Sequence, residues 1–419
     1  MHRIFTDHES NVRSYCRNFP AIFQSARGAI LTDISGREWI DFLCGAGAVN
    51  YGHNHPALKR AVLDYLADDG LVHGLDLHST AKAQFLEAFQ SHILKPRSLE
   101  YRVQFTGPTG ANAVEAAFKL ARKVTGRRGI VAFTHGYHGL TLGALAATAN
   151  NYFRGAANVT MGDVTFMPYD GWLGAGVDTL AVFERYLKDP SSGMDLPAAV
   201  VVETTQGEGG INVASVDWLR GLADLCRRYD ILLIIDDIQA GCGRTGPFFS
   251  FERAQLKPDL VTMSKSIGAY GLPMSLVLIR PDLDVWKPGE HTGTFRGNNL
   301  AFIAATAAIE TFWVGTEMVR TVRARAGELR ESLRAIAAHH AGRIEPRGIG
   351  LLQGFACDEP ALAKAISRAA FERGLIVECA GAHDEVIKTM PPLTIGSTEL
   401  ARGCDLLREA VDAAVEGRP

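Results

Sequence analysis

Residues 231–265 read ILLIIDDIQAGCGRTGPFFSFERAQLKPDLVTMSK. Two short apolar runs frame this stretch, Ile231–Ile235 and Leu260–Met263, the second interrupted only by Thr262. Runs of that length without polar alternation read as strands covered on both faces, the habit of parallel sheets packed between helices. Asp236 ends the first run, and Lys265 lies just past the second. Ligands of open α/β sheets gather outside the carboxyl ends of the strands, so both charges stand where a site would form.

The same pattern recurs on either side. Tyr101–Phe105, Ile130–Phe133 and Ala198–Val202 precede the stretch, and Ser275–Ile279 follows it. Amphipathic segments lie between. In Ala113–Val124, Val114, Ala117, Phe118 and Ala121 share one face, while Glu115 and Lys119 are spaced to pair at i,i+4. Trp218, Leu222, Leu225 and Tyr229 repeat the helical period just before Ile231. This alternation predicts an α/β fold with a large, doubly wound, mainly parallel sheet and right-handed crossovers over residues 56–305. Beyond it, the alanine-rich stretch Leu300–Trp313 leads into charged helices and short strands near Leu351–Phe355 and Leu375–Glu378. Residues 306–419 are therefore expected to form a smaller α+β domain, and residues 1–55, rich in glycine and aromatics, to pack with it.

A chain of 419 residues with 47% hydrophobic and 21% charged residues has the composition of a globular enzyme. The net charge of -3 offers no pull toward nucleic acid or anionic membrane. No apolar run reaches the roughly eighteen residues that span a bilayer, and MHRIFTDHESNVRSYCRNF carries no apolar core of a secretory signal. A cytoplasmic protein is expected. The seven cysteines are scattered without a CxxC pair, which indicates neither a disulfide framework nor a metal site.

Glu203 closes AAVVVE much as Asp236 closes ILLIID. A lysine and carboxylates at neighbouring strand ends are what pyridoxal 5'-phosphate (PLP) chemistry needs: an amine for a Schiff base, and an anion that keeps the pyridine nitrogen protonated. A phosphate needs backbone N–H groups at a glycine turn opening a helix, and Gly107-Pro-Thr-Gly-Ala-Asn112 before the Ala113 helix has that form. Gly241-Cys-Gly-Arg-Thr-Gly246 matches the dinucleotide pattern GxGxxG, but Pro247 and three phenylalanines follow where a helix should open. Asp259, moreover, precedes its strand instead of ending it.

DDIQAGCGRTG followed by KPDLVTMSKSIGAYGLP resembles the signature of class III PLP-dependent aminotransferases. So do DISGREWIDFLCGAGAVNYGHNHP, PTGANAVEAAFKLAR, FTHGYHGLTLGAL, ETTQGEGG, HTGTFRGNN and IKTMPPLTI, in order over roughly residues 30 to 400. The resemblance implies the fold type I of PLP-dependent transferases and a homodimer or higher assembly with active sites at the subunit interface. It implies that Lys265 holds PLP and later shuttles a proton, that Asp236 pairs with the pyridinium, and that Gln239 bonds the phenolic oxygen. Tyr137 would stack on the ring, with His138 and Gly139 shaping that loop, and Glu203 would lie near the cofactor. The amides of Gly110 and Ala111 would bind phosphate, and Thr294 would reach the phosphate of the neighbouring subunit. Glu208 would gate the substrate site.

Three positions depart from the common family pattern. Asp237 stands for a glutamate, Ala111 removes a hydroxyl from the phosphate turn, and Lys388 replaces an arginine that in many members binds the substrate carboxylate. A lysine cannot form the planar bidentate clamp of a guanidinium. Together with ESNVRSYCRNFP, DGLVHGLDLHS and KPGEHTGTFRGNN, these features resemble the diaminobutyrate–2-oxoglutarate branch, which serves ectoine biosynthesis and whose relatives with the same chemistry also feed siderophore and peptide-antibiotic pathways. The substrates implied are L-glutamate and L-aspartate 4-semialdehyde, with Lys388 and Glu208 contacting them. Another ω-amine substrate (ornithine or 4-aminobutyrate) and a same-fold mutase or racemase remain open at this point.

Overall fold

The computed structural model describes residues 2–417; Met1, Arg418 and Pro419, which the domain expectations include, lie outside the described residues. After two short helices, His2–His8 and Tyr15–Asn18, come three short antiparallel strands: β1 (Phe23–Arg27), β2 (Ile30–Asp33) and β3 (Glu38–Asp41). The large sheet then builds from β4 (Arg102–Phe105), β5 (Ile130–Phe133), β6 (Val164–Met167) and β7 (Ala199–Val202). After a small hairpin, β8 (Thr205–Gln206) and β9 (Asn212–Val213), it is completed by β10 (Leu232–Asp236), β11 (Leu260–Met263) and β12 (Leu276–Ile279). Its strand order is β4-β12-β11-β10-β7-β5-β6. Every pairing is parallel except those of β12, which runs against both β11 and β4. All residues of β5, β7, β10, β11 and β12 are buried, as expected of strands sandwiched between helices.

Gly110–Thr125 forms one covering helix and buries Val114, Ala117, Phe118 and Ala121 together. Glu115 and Lys119 do not pair with each other. The Glu115 carboxylate accepts from the Thr141 hydroxyl and from the amides of Gly143 and Ala144, capping the helix Leu142–Ala147, while Lys119 Nζ donates to Glu290 O at 2.7 Å. Orphan helix-end amides are the better partner, because an exposed i,i+4 pair contributes only about 0.2–0.5 kcal/mol.

Past the helix Asn299–Phe312 and the long helix Glu317–His339, a second sheet forms from β13 (Ile344–Ile349) and β14 (Leu352–Cys357). The expected single strand near Leu375–Glu378 is two strands. β15 (Leu375–Ile376) joins β3 in parallel, whereas β16 (Glu378–Ala380) pairs with β17 (Val386–Thr389). Val377 between them is fully buried, so the chain turns from one sheet to the next inside the core. The helices Pro360–Arg373 and Ser397–Glu416 pack against these strands. The first residues and the last third are thus bound by a shared sheet.

Arg244, from the GxGxxG-like stretch, is a buried tie between these parts. Its guanidinium donates to Asn50 Oδ1, to Leu351 O and to Pro391 O. No helix opens at Gly246, where only a short 3-10 turn, Ser250–Ala254, follows, and Asp259 accepts the Leu233 amide and pairs with Arg280, so nothing there is shaped for a dinucleotide.

Candidate active site

The register of the large sheet brings three charged side chains to one edge. Ile235 lies beside Val202, the residue before Glu203, and Asp236 lies beside Thr262, three residues before Lys265. Glu203, Asp236 and the lysine therefore leave the carboxyl ends of β7, β10 and β11 side by side. Lys265 itself adopts φ +53, a left-handed conformation costing about 1–3 kcal/mol for a side chain with a Cβ, and opens a short 3-10 turn, Lys265–Gly268. Such strain persists only where the surroundings enforce it. Ser266 does so here, donating to Gly47 O at 2.6 Å and accepting the Asn50 amide at 3.1 Å. That bond brings the N-terminal loop onto the lysine: a Cβ at Gly47 would stand 3.6 Å from Gln239 Cγ and 3.9 Å from Lys265 Cδ.

Asp236 is 4% exposed and makes a 2.7 Å contact with His138 Nδ1. Burial alone would lower the His138 imidazole, yet the hydrogen bond and charge of Asp236 outweigh it and raise it above its ordinary value. The second oxygen, Asp236 Oδ1, accepts the Ile238 amide at 3.2 Å. Glu203 accepts the Tyr137 amide at 2.9 Å, and burial pushes its carboxyl up to about 7. Asp237 turns the other way, held by Ser250, and burial likewise pushes it up to about 7. The shorter second carboxylate of the Asp236-Asp237 pair is therefore a structural group. Tyr137 is half-buried beside Phe153.

Gln239 donates through Nε2 to Ala46 O (3.0 Å) and Glu208 Oε1 (2.9 Å), while its buried Oε1 has no hydrogen-bond partner. Gly110 and Ala111 begin the helix Gly110–Thr125, whose first amides have no partner within the helix. A Cβ at Gly110 would meet Ile238 Cδ1 at 2.8 Å and Ser264 Cβ at 3.5 Å, so the helix start is wedged between the ends of β10 and β11. At Gly139, with φ +126, a Cβ would lie 2.7 Å from that of Ala111. Thr294 stands apart from this group, exposed in the loop that precedes Asn298.

Facing this edge is a cluster that sequence reasoning named only in part. Lys388, on β17, is 0% exposed, and its ammonium lies 2.7 Å from Glu208 Oε1 and 3.0 Å from Glu378 Oε1. Glu378 is the register partner of Lys388 on β16. Burial would lower the Lys388 ammonium, but Glu208 and Glu378 together raise it above its usual range. Burial would raise Glu208, but Lys388 and Lys265 bring it down to about 2. The charge of Glu378, then burial, then the charge of Glu208 raise the phenol of Tyr15, from the short helix Tyr15–Asn18. Neither Tyr15 nor Glu378 was named beforehand. The signal for Glu378 was a lone acid inside the apolar run LIVECA.

A reactive amine, a buried carboxylate fixed by a histidine, an orphaned amide oxygen and a free helix start surround one space. That donor set fits PLP: amine for aldehyde, anion for pyridinium, amides for phosphate. The description "Aminotransferase class-III" matches residues 12–411. The chain is a class III aminotransferase. PLP is the cofactor of this family, and the aminotransferase is 56% identical over its whole length to a diaminobutyrate–2-oxoglutarate transaminase of Bordetella parapertussis, covering 97% of that protein. A protein of the same name from Vibrio cholerae is 53% identical over 97% of this chain and 99% of its own. Among solved structures, ornithine aminotransferase from Toxoplasma gondii superposes with a TM-score of 0.87 at 26% identity, covering 100% of this chain and 95% of that one. A second structure of that enzyme, with a TM-score of 0.86, is described with partial occupancy of PLP at its active site.

Proposed function

We propose that the protein transfers the amino group of L-glutamate to L-aspartate 4-semialdehyde, yielding 2-oxoglutarate and L-2,4-diaminobutyrate. The observation that carries this reading is Lys388, a buried ammonium between Glu208 and Glu378, where many family members place an arginine. It accords with the name of the relatives above. Bound PLP supplies an electron sink that stabilises the carbanion left when a substrate loses its proton.

The chain's own residues do the rest. Lys265 anchors the cofactor, and burial pulls its amine below the ordinary lysine range, which suits a group that must accept and return a proton. Asp236, oriented by His138, holds the proton on the ring nitrogen. Gln239 would address the phenolic oxygen and Tyr137 would cover the ring, while Glu203 steadies the Tyr137 loop. Gly110 and Ala111 offer amides to phosphate. Lys388 receives the substrate carboxylate when Glu208 releases it.

Thr294 serves the phosphate of a neighbouring subunit, so the active unit is at least a homodimer. Support comes from the exposed Leu71, Val72, Leu75 and Phe295, an apolar set drawn together by the contact between His73 and Phe295. We place the enzyme in the cytoplasm and in ectoine biosynthesis. No single described helix is long and apolar enough to cross a membrane.

The test is turnover of purified protein with L-glutamate and a panel of aldehydes and ω-amines, following 2-oxoglutarate. Preferred use of aspartate semialdehyde forward, and of diaminobutyrate in reverse, is expected. A preference for ornithine or 4-aminobutyrate would overturn the substrate reading. Product formation without consumption of a 2-oxo acid would mark a mutase or racemase.

A further inference from the structure

Glu378 poses a problem that the reading above leaves open. Lys388 is already neutralised by Glu208, whose bond to it is short and well aligned. A second buried carboxylate loses several kcal/mol of hydration, and an apolar side chain in its place would serve stability as well or better. Its alignment is also incomplete. Glu378 Oε1 lies 3.0 Å from Lys388 Nζ, but no hydrogen bond is directed to that oxygen. A carboxylate offers about four lone-pair positions, and Glu378 keeps acceptor capacity facing the cluster.

The two acids also differ in their setting. Glu208 sits in the turn between β8 and β9 with its side chain 26% exposed, whereas Glu378 is fixed on a strand beside its cross-strand partner. An incoming substrate carboxylate can displace the first from Lys388. The second stays.

The substrates differ in a matching way. Diaminobutyrate reacts through its terminal amine, so its remote carbon carries both an ammonium and a carboxylate. Glutamate reacts through its α-amine, so its remote end carries a carboxylate alone. Lys388 complements the feature they share. Resting on the function proposed above, we propose that Glu378 is the residue that recognises the α-ammonium of the diamino acid, with Lys388 taking the α-carboxylate beside it. The pair is a fixed complement to an amino-acid zwitterion.

The experiment uses two amine donors that differ only in the α-amino group, L-2,4-diaminobutyrate and 4-aminobutyrate, each with 2-oxoglutarate. Glu378→Gln keeps the shape and removes the charge. It is expected to lower kcat/KM for diaminobutyrate by about 10- to 100-fold, the size of one charged hydrogen bond, chiefly through KM. Turnover of 4-aminobutyrate and the half-reaction with glutamate should stay within about threefold of wild type. Glu378→Asp retains the charge in a shorter side chain and should give an intermediate loss with diaminobutyrate only, a readout that does not depend on the fold tolerating Gln. Equal losses with both donors, or none with either, overturn the assignment. Wild-type enzyme that fails to prefer diaminobutyrate over 4-aminobutyrate overturns the proposed function and this inference with it. A wild-type preference that survives in both variants overturns the inference alone.

Discussion

Replacing Lys388 by methionine leaves the side-chain volume nearly unchanged and strips the charge from the centre of the cluster. Glu208 and Glu378 then face each other without a cation between them. Against burial, the charge of Lys388, then that of Lys265, and bonds from Lys388 and Gln239 lower Glu208 from 4.5 to about 2; the combined shift corresponds to about 3 kcal/mol of folding free energy, and Lys388 supplies the larger share of the attraction. The cost of breaking a buried pair, about 3–5 kcal/mol, agrees. A carboxyl whose value is depressed on folding stabilises the fold above its unfolded value near 4.5. That stability is lost as pH falls through about 2, so the full deficit is present at pH 7.5. For a chain of 419 residues the unfolding entropy is about 0.9 kcal/mol/K, and the melting temperature should fall by about 3–4 °C. The measurement is thermal unfolding at fixed protein concentration with saturating PLP, since ligand and assembly both move the midpoint. Adding Glu208→Gln and Glu378→Gln to Lys388→Met should recover most of the loss by removing the unpaired charges. A single variant as stable as wild type, or a triple variant no better than the single one, would refute the reasoning.

Borohydride reduction of the holoenzyme should attach the cofactor to Lys265, and Lys265→Ala should abolish transamination; a label on any other lysine, found by peptide mapping, contradicts this. Asp236→Asn should slow the chemical step by at least about 10²-fold in single-turnover absorbance measurements, because it removes the anion from the ring nitrogen. It should also lower the His138 imidazole, read by NMR, since Asp236 is what holds that group up against burial. Light scattering should find a dimer or larger species, and an active monomer at assay concentration would remove any role of Thr294 on a neighbouring cofactor.

What was readable in the sequence follows from which elements are buried on both faces. Ile231–Ile235 and Leu260–Met263 appear at the expected places because a strand covered by helices on each side is apolar along nearly all its length, Thr262 being the one polar residue in the two runs. Direction leaves no such trace. Leu276–Ile279 looks like its neighbours in composition, yet it runs antiparallel between β11 and the edge strand β4, since its short connection from Lys265 leaves no room for a crossover helix. The edge strand Val164–Met167 was missed for the opposite reason. It is only partly buried, and VTFM carries neither a long apolar run nor a clear alternation.

The candidate site divides along the same physical line. Lys265, Asp236 and Glu203 are visible because a charge at the end of an apolar strand is a local feature, legible within one short segment. Neither Glu378 nor Lys388 closes an apolar strand: Glu378 opens β16 and Lys388 lies inside β17. Each interrupts an apolar run, LIVECA and VIKTM, and each taken alone reads as a stray polar residue. A charge buried in a strand must have a partner or lose its charge, so two such interruptions of opposite sign ten residues apart already imply each other. What the sequence lacks is the hairpin register that sets Glu378 opposite Lys388, and the separate loop that brings Glu208 to the same ammonium. Recognition of a substrate end is therefore harder to read than cofactor binding here. It depends on three segments that meet only in the folded chain, and the acid among them that stays put on a strand is the one whose charge the stability of the fold does not require.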